Sequence, residues 1–190
     1  SVAYTEKPDM ETFLDEWVSL IKSKSGERGI FNRVASQKQA AKWGRRSDSF
    51  SYGTNPCSEI ILRDKQFCNL TEVVVREEDT QETLLEKVRL ATILGTFQST
   101  LDKFQFLSSE WHKNTTEERL LGVSLTGIMD SKMMANPEPK FLEEMRDEAR
   151  KTNQKYAKLL EVPESASITC VKPSGTVSQL VDSSSGIHSR

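Results

Sequence analysis

The chain has 190 residues, 36% of them hydrophobic, and its 26 basic and 28 acidic side chains leave a formal net charge of −2. That is enough apolar material for one core, so one domain or one part of a larger domain is expected, and the balanced charge gives no field that would gather a nucleic acid polymer or an anionic membrane. Three cysteines (Cys57, Cys68 and Cys170), with no CxxC or His-rich cluster, fit neither a secreted disulfide framework nor a zinc site. The first residues lack a basic start followed by an apolar core, and nowhere do eighteen apolar residues run together, so a chain that is neither exported nor membrane-spanning, in a reducing cytoplasm, is expected.

From Asp9 or Met10 to about Lys22, Phe13, Leu14, Trp17, Val18 and Ile21 recur at helical spacing, which predicts a helix with one buried face. Residues 23–33, with Gly26 and Gly29 among charges, read as a loop; Val34 to Trp43 read as a short helix ending near Gly44, and 45–52 as irregular, basic chain. Short strands are expected around Glu59 to Leu62, Phe67 to Leu70 and Glu72 to Val75. Thr80 opens a long helix to about Phe104, with Leu84, Leu85, Val88, Ala91, Leu94 and Phe97 on its apolar side; Thr80 with Thr83 is only a loose start signal, because the acidic member of a capping box is missing. Leu120 to Leu125 fits a strand or the start of a helix. Pro137 to Leu160 reads as a long helix stopped before Pro163, and Ala166 to Val171 as a buried strand leading into Lys172-Pro173-Ser174-Gly175-Thr176 and a further apolar stretch, Val177 to Val181. Strands separated by long helices predict an α/β fold, and the pattern does not choose between an open sheet and a barrel.

The densest chemistry is Gly53-Thr54-Asn55-Pro56-Cys57-Ser58-Glu59-Ile60. An amide, a thiol and a carboxylate alternate at two-residue spacing, and in extended chain such residues face the same way, so Asn55, Cys57 and Glu59 could converge on one small molecule as hydrogen-bonding group, sulfur reactant and general base. The plainer alternative is a structural thiol, a surface charge and an Asn-Pro turn. Cys68 and Cys170 read equally as small core residues. In Pro173-Ser174-Gly175-Thr176-Val177-Ser178, small residues after a strand let backbone N–H groups and hydroxyls point at an anion, although such a turn is also a common strand-to-helix loop. It lacks the Lys-Ser/Thr ending of a nucleotide triphosphatase loop. His112 and His188 stand without partners at metal spacing, and Trp17, Trp43 and Trp111 read as core or semi-exposed packing residues.

The string Asn-Pro-Cys-Ser-Glu-Ile (55–60), followed by Phe67-Cys68-Asn69-Leu70, resembles the active-site signature of ribonucleotide reductases, and residues 24–33 and 172–178 resemble that family's flanking motifs in the same order. The Asn-Pro-Cys form and the close second cysteine are similar to the adenosylcobalamin-dependent members rather than the diiron-dependent ones, whose small subunit is the alternative radical source. The resemblance implies that Cys57 becomes a transient thiyl radical that removes hydrogen from carbon 3 of the ribose. It makes Glu59 the acceptor of the 3-hydroxyl proton, Asn55 a hydrogen-bonding amide at the ribose hydroxyls, and Cys68 one member of the redox pair that ends as a disulfide. The segment Pro173, Ser174, Gly175, Thr176, Val177 and Ser178 would bind substrate phosphates, with Lys172 adding charge or facing solvent.

The family's other redox cysteine lies upstream of the motif, and no cysteine precedes Cys57 here. Cys170 sits where the resemblance predicts none. The implied fold is a ten-stranded α/β barrel with Cys57 on a central finger loop, of which residues 1–190 form a single segment, incomplete at both ends. The implied partners are a ribonucleoside di- or triphosphate, a thioredoxin-like reductant, and the missing barrel segments or a partner chain. A catalytically idle nucleotide-binding module and a barrel-completing fragment remain as alternative functions.

Overall fold

The computed structural model describes residues 6–25 and 29–189. The chain divides into two units, residues 1–32 and 33–190. In the first, α1 (Met10–Ser23) is capped by Asp9, whose carboxylate accepts the Thr12 N–H at 2.8 Å, and ends at Lys24 in the left-handed conformation. The expected buried face is not found: none of the residues of α1 is buried, and Met10, Phe13, Leu14, Trp17, Val18 and Ile21 are exposed. Helical periodicity places the apolar stripe but does not supply its cover. Gly26 in the expected loop, with Glu27 and Arg28 of the flanking motif, lies outside the described residues.

The second unit is built on parallel strands joined by helices. Strand β3 (Asn69–Val74) pairs in parallel with β4 (Leu121–Thr126), Asn69 opposite Leu121 and Val74 opposite Thr126. The two strand segments expected at 67–70 and 72–75 are thus one strand, and the ambiguous run at 120–125 is a strand buried on both faces, as a central parallel strand must be. The connection between them holds α3 (Gln81–Gln98) and α4 (Ser109–Glu118), the latter unforeseen because its sequence carries almost no apolar stripe. After β4 come a 3-10 turn (Ile128–Asp130), α5 (Lys132–Ala135) and α6 (Pro139–Leu159).

The predicted buried strand 166–171 is a partly exposed edge segment, bridged in parallel at Val123–Thr169. Leu121 and Val123 donate to the carbonyls of Ser167 and Ile168, adjacent residues where a regular parallel ladder would skip one. Three residues of β4, Leu121 to Val123, thus face two of the edge segment, a bulge with Gly122 as the extra residue that interrupts the ladder.

The core lies where α3 and α6 cover one face of the sheet: Val73, Val75, Leu84, Val88, Leu121, Val123, Phe141, Met145 and Ala149. The buried stripe of α3 continues through Thr92, Gly95 and Thr96 rather than Leu94 and Phe97, which are exposed. Thr92 and Thr96 return their hydroxyls to the carbonyls of Val88 and Thr92, so small polar residues sit in the helix interface without unpaired donors. Thr80 does form a capping box, because the Thr83 hydroxyl takes the place of the acid and accepts the Thr80 N–H at 3.0 Å.

A second, antiparallel pair sits beside this layer: β1 (Tyr52–Thr54) and β2 (Ile61–Arg63), preceded by α2 (Arg33–Ala41). The basic stretch read as irregular is its anchor. Arg46 is buried and makes an ion pair with buried Glu118 at 2.9 Å, donates to the Ile61 carbonyl at 2.9 Å, and lies 4.7 Å from the Tyr52 ring centre. Gln66 completes the network by donating to Glu118 and to the Asn114 carbonyl, fixing the hairpin to the end of α4.

Candidate active site

Residues 55–60 form the tip of the β1–β2 hairpin. The Ser58 N–H donates to the Asn55 carbonyl at 2.9 Å, closing a turn around Pro56 and Cys57, and Ser58 takes a positive φ of 63°. The Asn55 side chain accepts the Ile60 N–H at 3.1 Å. The extended alternation expected across Asn55, Cys57 and Glu59 is therefore absent: the turn presents Cys57 to solvent and sends the Glu59 side chain inward, only 1% exposed.

Glu59 meets the sheet face opposite the helices. Lys172 Nζ donates to Glu59 Oε1 at 2.9 Å, while the Lys172 N–H donates to Ser124 Oγ at 2.8 Å. Glu59 Oε2 is buried without a hydrogen-bond partner, and so are both carboxylate oxygens of Glu72 on β3 and the hydroxyl of Ser174. Burial alone would raise the Glu59 carboxyl; the hydrogen bond and charge of Lys172, with the Asn55 amide, outweigh it and hold Glu59 below the usual carboxylate value. Glu72 goes the other way, because burial outweighs the opposing help of Ser174 and Lys172.

Cys68, half-buried just before β3, has its thiol pushed up by burial and by the Glu59 charge. Cys170 is pushed up to about 12 by burial, then by Glu59, Cys68 and Glu72. Its sulfur packs where a Cβ on Gly122 would stand, 3.2 Å away, and the same Cβ would come within 2.4 Å of Leu70, so β4 must be bare at Gly122 for this face to close. Two thiols and two carboxylates thus share one water-poor surface with a single lysine. Both thiols are raised by burial, which keeps them protonated at neutral pH and weak as nucleophiles.

The segment 173–178 follows the edge segment, as expected, but its hydroxyls do not act alike. Ser174, with a positive φ of 54°, is buried with its hydroxyl turned toward Glu72, and Ser178 is buried, donating to the Gly175 carbonyl at 3.2 Å. Pro173, Gly175, Thr176 and Val177 are exposed, and α7 (Val177–Leu180) follows. A serine-rich loop unnoticed in the sequence, 182–186, braces this segment. Ser184 accepts from the Gly127 N–H, and Gly186, at φ 50°, passes so close to the Lys172 carbonyl that a Cβ there would lie 2.7 Å from it.

A cleft of about 340 Å³ opens beside Glu59, lined by Trp43, Arg45, Arg150 and the edge residues Ser167 and Thr169. His112 and His188 each bond a backbone carbonyl through Nδ1, of Asp102 and Ser185. Trp111 stacks on Phe67 at 4.6 Å, whereas Trp17 and Trp43 are exposed.

No family model matches the chain. Among curated proteins it is similar to adenosylcobalamin-dependent ribonucleoside-triphosphate reductases. The protein of that name from Lactobacillus leichmannii is 28% identical over 207 residues, covering 87% of this chain and 26% of the relative. That from a Lactobacillus acidophilus strain is 30% identical over 203 residues, covering 86% and 26%. A crystal structure of a B12-dependent (class II) ribonucleotide reductase superposes with a TM-score of 0.59 at 29% identity, over 72% of this chain and 22% of that one. The chain matches a segment of the class II ribonucleotide reductases. A probable reductase of the same kind from Dictyostelium discoideum, 27% identical over 148 residues, extends the likeness beyond the lactobacilli. The chain spans about a quarter of the length of the lactobacillar reductases it matches.

Proposed function

We propose that residues 1–190 are one segment of an adenosylcobalamin-dependent ribonucleotide reductase, the segment that carries the reacting groups, within a ten-stranded α/β barrel completed by further segments or a partner chain. The observation that carries this reading is the hairpin that exposes Cys57 at its tip and buries Glu59 beneath it against Lys172. The names of the relatives favour adenosylcobalamin over a diiron subunit as the radical source, and a ribonucleoside triphosphate over a diphosphate as substrate.

The exposed thiol of Cys57 fits a bulky cofactor approaching the hairpin tip from outside, and Cys57 is the group of this chain that would face it. When bound, adenosylcobalamin supplies an unpaired electron by homolysis of its cobalt–carbon bond. Cys57, as a thiyl radical, takes the hydrogen on carbon 3 of the ribose and becomes a thiol again. Glu59 accepts the 3-hydroxyl proton, with the Asn55 amide near the ribose hydroxyls, and the 2-hydroxyl takes a proton from a thiol pair, Cys68 and a second cysteine contributed from outside this chain, and leaves as water. The pair then delivers its other hydrogen to carbon 2 and its second electron to the sugar and closes to a disulfide, Glu59 returns its proton to the 3-oxygen, and Cys57 returns its hydrogen to carbon 3 and is left as the thiyl radical again. Residues 173–178 hold the phosphates through their exposed backbone, and a thioredoxin-like dithiol resets the disulfide.

Among the described residues no helix is long and apolar enough to cross a membrane. The thiol chemistry needs reduced cysteines, and on that ground we propose a cytoplasmic location. The test is anaerobic conversion of labelled ribonucleoside triphosphate with adenosylcobalamin and dithiothreitol, using this chain with the complementary segments of the Lactobacillus leichmannii reductase supplied in trans. Deoxyribonucleotide formed with the native chain and lost with Cys57→Ser and Glu59→Gln is the expected result; product at an undiminished rate with either variant would overturn the reading.

A further inference from the structure

Lys172 occupies a position that neither the active-site signature nor the phosphate loop explains. Its main chain is fixed by Ser124 below and by the close approach of Gly186 above, and its side chain, 22% exposed, reaches a carboxylate that is 1% exposed. The next residue, Pro173, begins the exposed turn of the phosphate loop. One ammonium group thus stands between a buried base and the place where substrate phosphates are expected.

We propose that Lys172 is a positioning residue that couples filling of the phosphate loop to the catalytic carboxylate: it pairs with Glu59 before substrate binds and is drawn to the phosphate afterwards, freeing Glu59 to take the proton. The proposal rests on the reading of Glu59 as base and 173–178 as phosphate loop.

Lys172 is the cation paired with Glu59. The ionisable groups around it are Cys57 at the hairpin tip, Cys68 before β3, Glu72 on β3 and Cys170 on the edge segment; all are neutral or negative, and Lys172 is the cation acting on it. Arg45, Arg46, Arg146 and Arg150 line the neighbouring cleft, where Arg46 is held by Glu118 and Arg45 by the Ser165 carbonyl. With Oε2 already unpartnered, withdrawal of Lys172 removes the largest interaction that offsets the burial of this carboxylate, and such a group binds a proton more tightly. A phosphate offers Lys172 a more highly charged partner at a more exposed position, so the exchange needs only rotation of a flexible side chain.

Carbon-13 NMR of the glutamate side-chain carboxyls, followed against pH in the full chain, reads the pair directly. Lys172→Gln is expected to raise the Glu59 midpoint by about 1–3 pH units. Lys172→Arg, which keeps the cation, is expected to hold it near the native value. Inorganic tripolyphosphate is expected to raise the midpoint in the native chain and to leave it unmoved in Lys172→Gln, while shifting the amide signals of Gly175 and Ser178 in both. A midpoint unchanged by Lys172→Gln overturns the proposal. Amide shifts in the loop with no movement of Glu59 in the native chain overturn the coupling and leave the phosphate reading standing; no response in the loop removes the phosphate reading and the coupling with it.

Discussion

The two faces of the parallel sheet obey different rules. Toward α3 and α6, Val73, Val75, Leu121 and Val123 pack against Leu84, Val88, Phe141 and Met145, and the buried amide of Asn153 is satisfied by Thr96 and Ser165. Toward the hairpin, the same strands present Cys68, Glu72, Gly122 and Ser124, and the carboxylates of Glu59 and Glu72 keep oxygens that are buried and unpartnered. The first face is what holds a chain together. On the second, buried polar groups lower stability where they are not compensated, and such strain collects where chemistry is done.

The largest loss of stability should come at the joint between the hairpin and α4. Arg46→Ala leaves Glu118 buried without its cation and should destabilise the chain by about 3–5 kcal/mol in a denaturant titration, with the amide signals of the hairpin broadening first. Leu84→Ala, a fully buried side chain on the helix side, should cost about 2–5 kcal/mol through the cavity it leaves, with the Glu59 titration unchanged.

On the reactive face the sign should reverse. The Glu72 carboxyl is held above its ordinary value by burial, so the folded chain binds its proton more tightly than the unfolded chain does. Its contribution to stability is intact below the unfolded value and is lost as pH rises through the folded one. Glu72→Gln should therefore raise the melting temperature at neutral pH and leave it little changed near pH 4. Glu59 runs opposite: its depressed value contributes stability above the ordinary carboxylate range that is lost as pH falls through the folded value.

Much of the helical architecture is legible because its signals are local. Periodicity marked α1, α3 and α6, β-branched residues marked β3, and Pro163 marked the end of α6. The reactive face was legible mainly as a signature, and its geometry was misread, because a turn with Ser58 at positive φ cancels the alternation that an extended reading assumes. Arg46 falls in a stretch that reads only as irregular and basic, since its partner Glu118 lies 72 residues away. The slip opposite Ser167 and Ile168, where β4 carries one residue more than its partner, leaves no mark in the apolar run, and the burial of Ser174 near Glu72 is a proximity that only the fold creates. In the sequence Lys172 reads as solvent-facing or as extra charge for a phosphate; that it caps a buried carboxylate follows from a contact across 113 residues.

Cys57 is the group proposed to take hydrogen from the substrate. In the completed assembly, ribonucleoside triphosphate deuterated at carbon 3 should be reduced more slowly than the protium form. Cys57→Ser, matched to the native chain in its melting transition, should form no deoxyribonucleotide from either. Equal rates for the two isotopic substrates together with product formation by Cys57→Ser would contradict it.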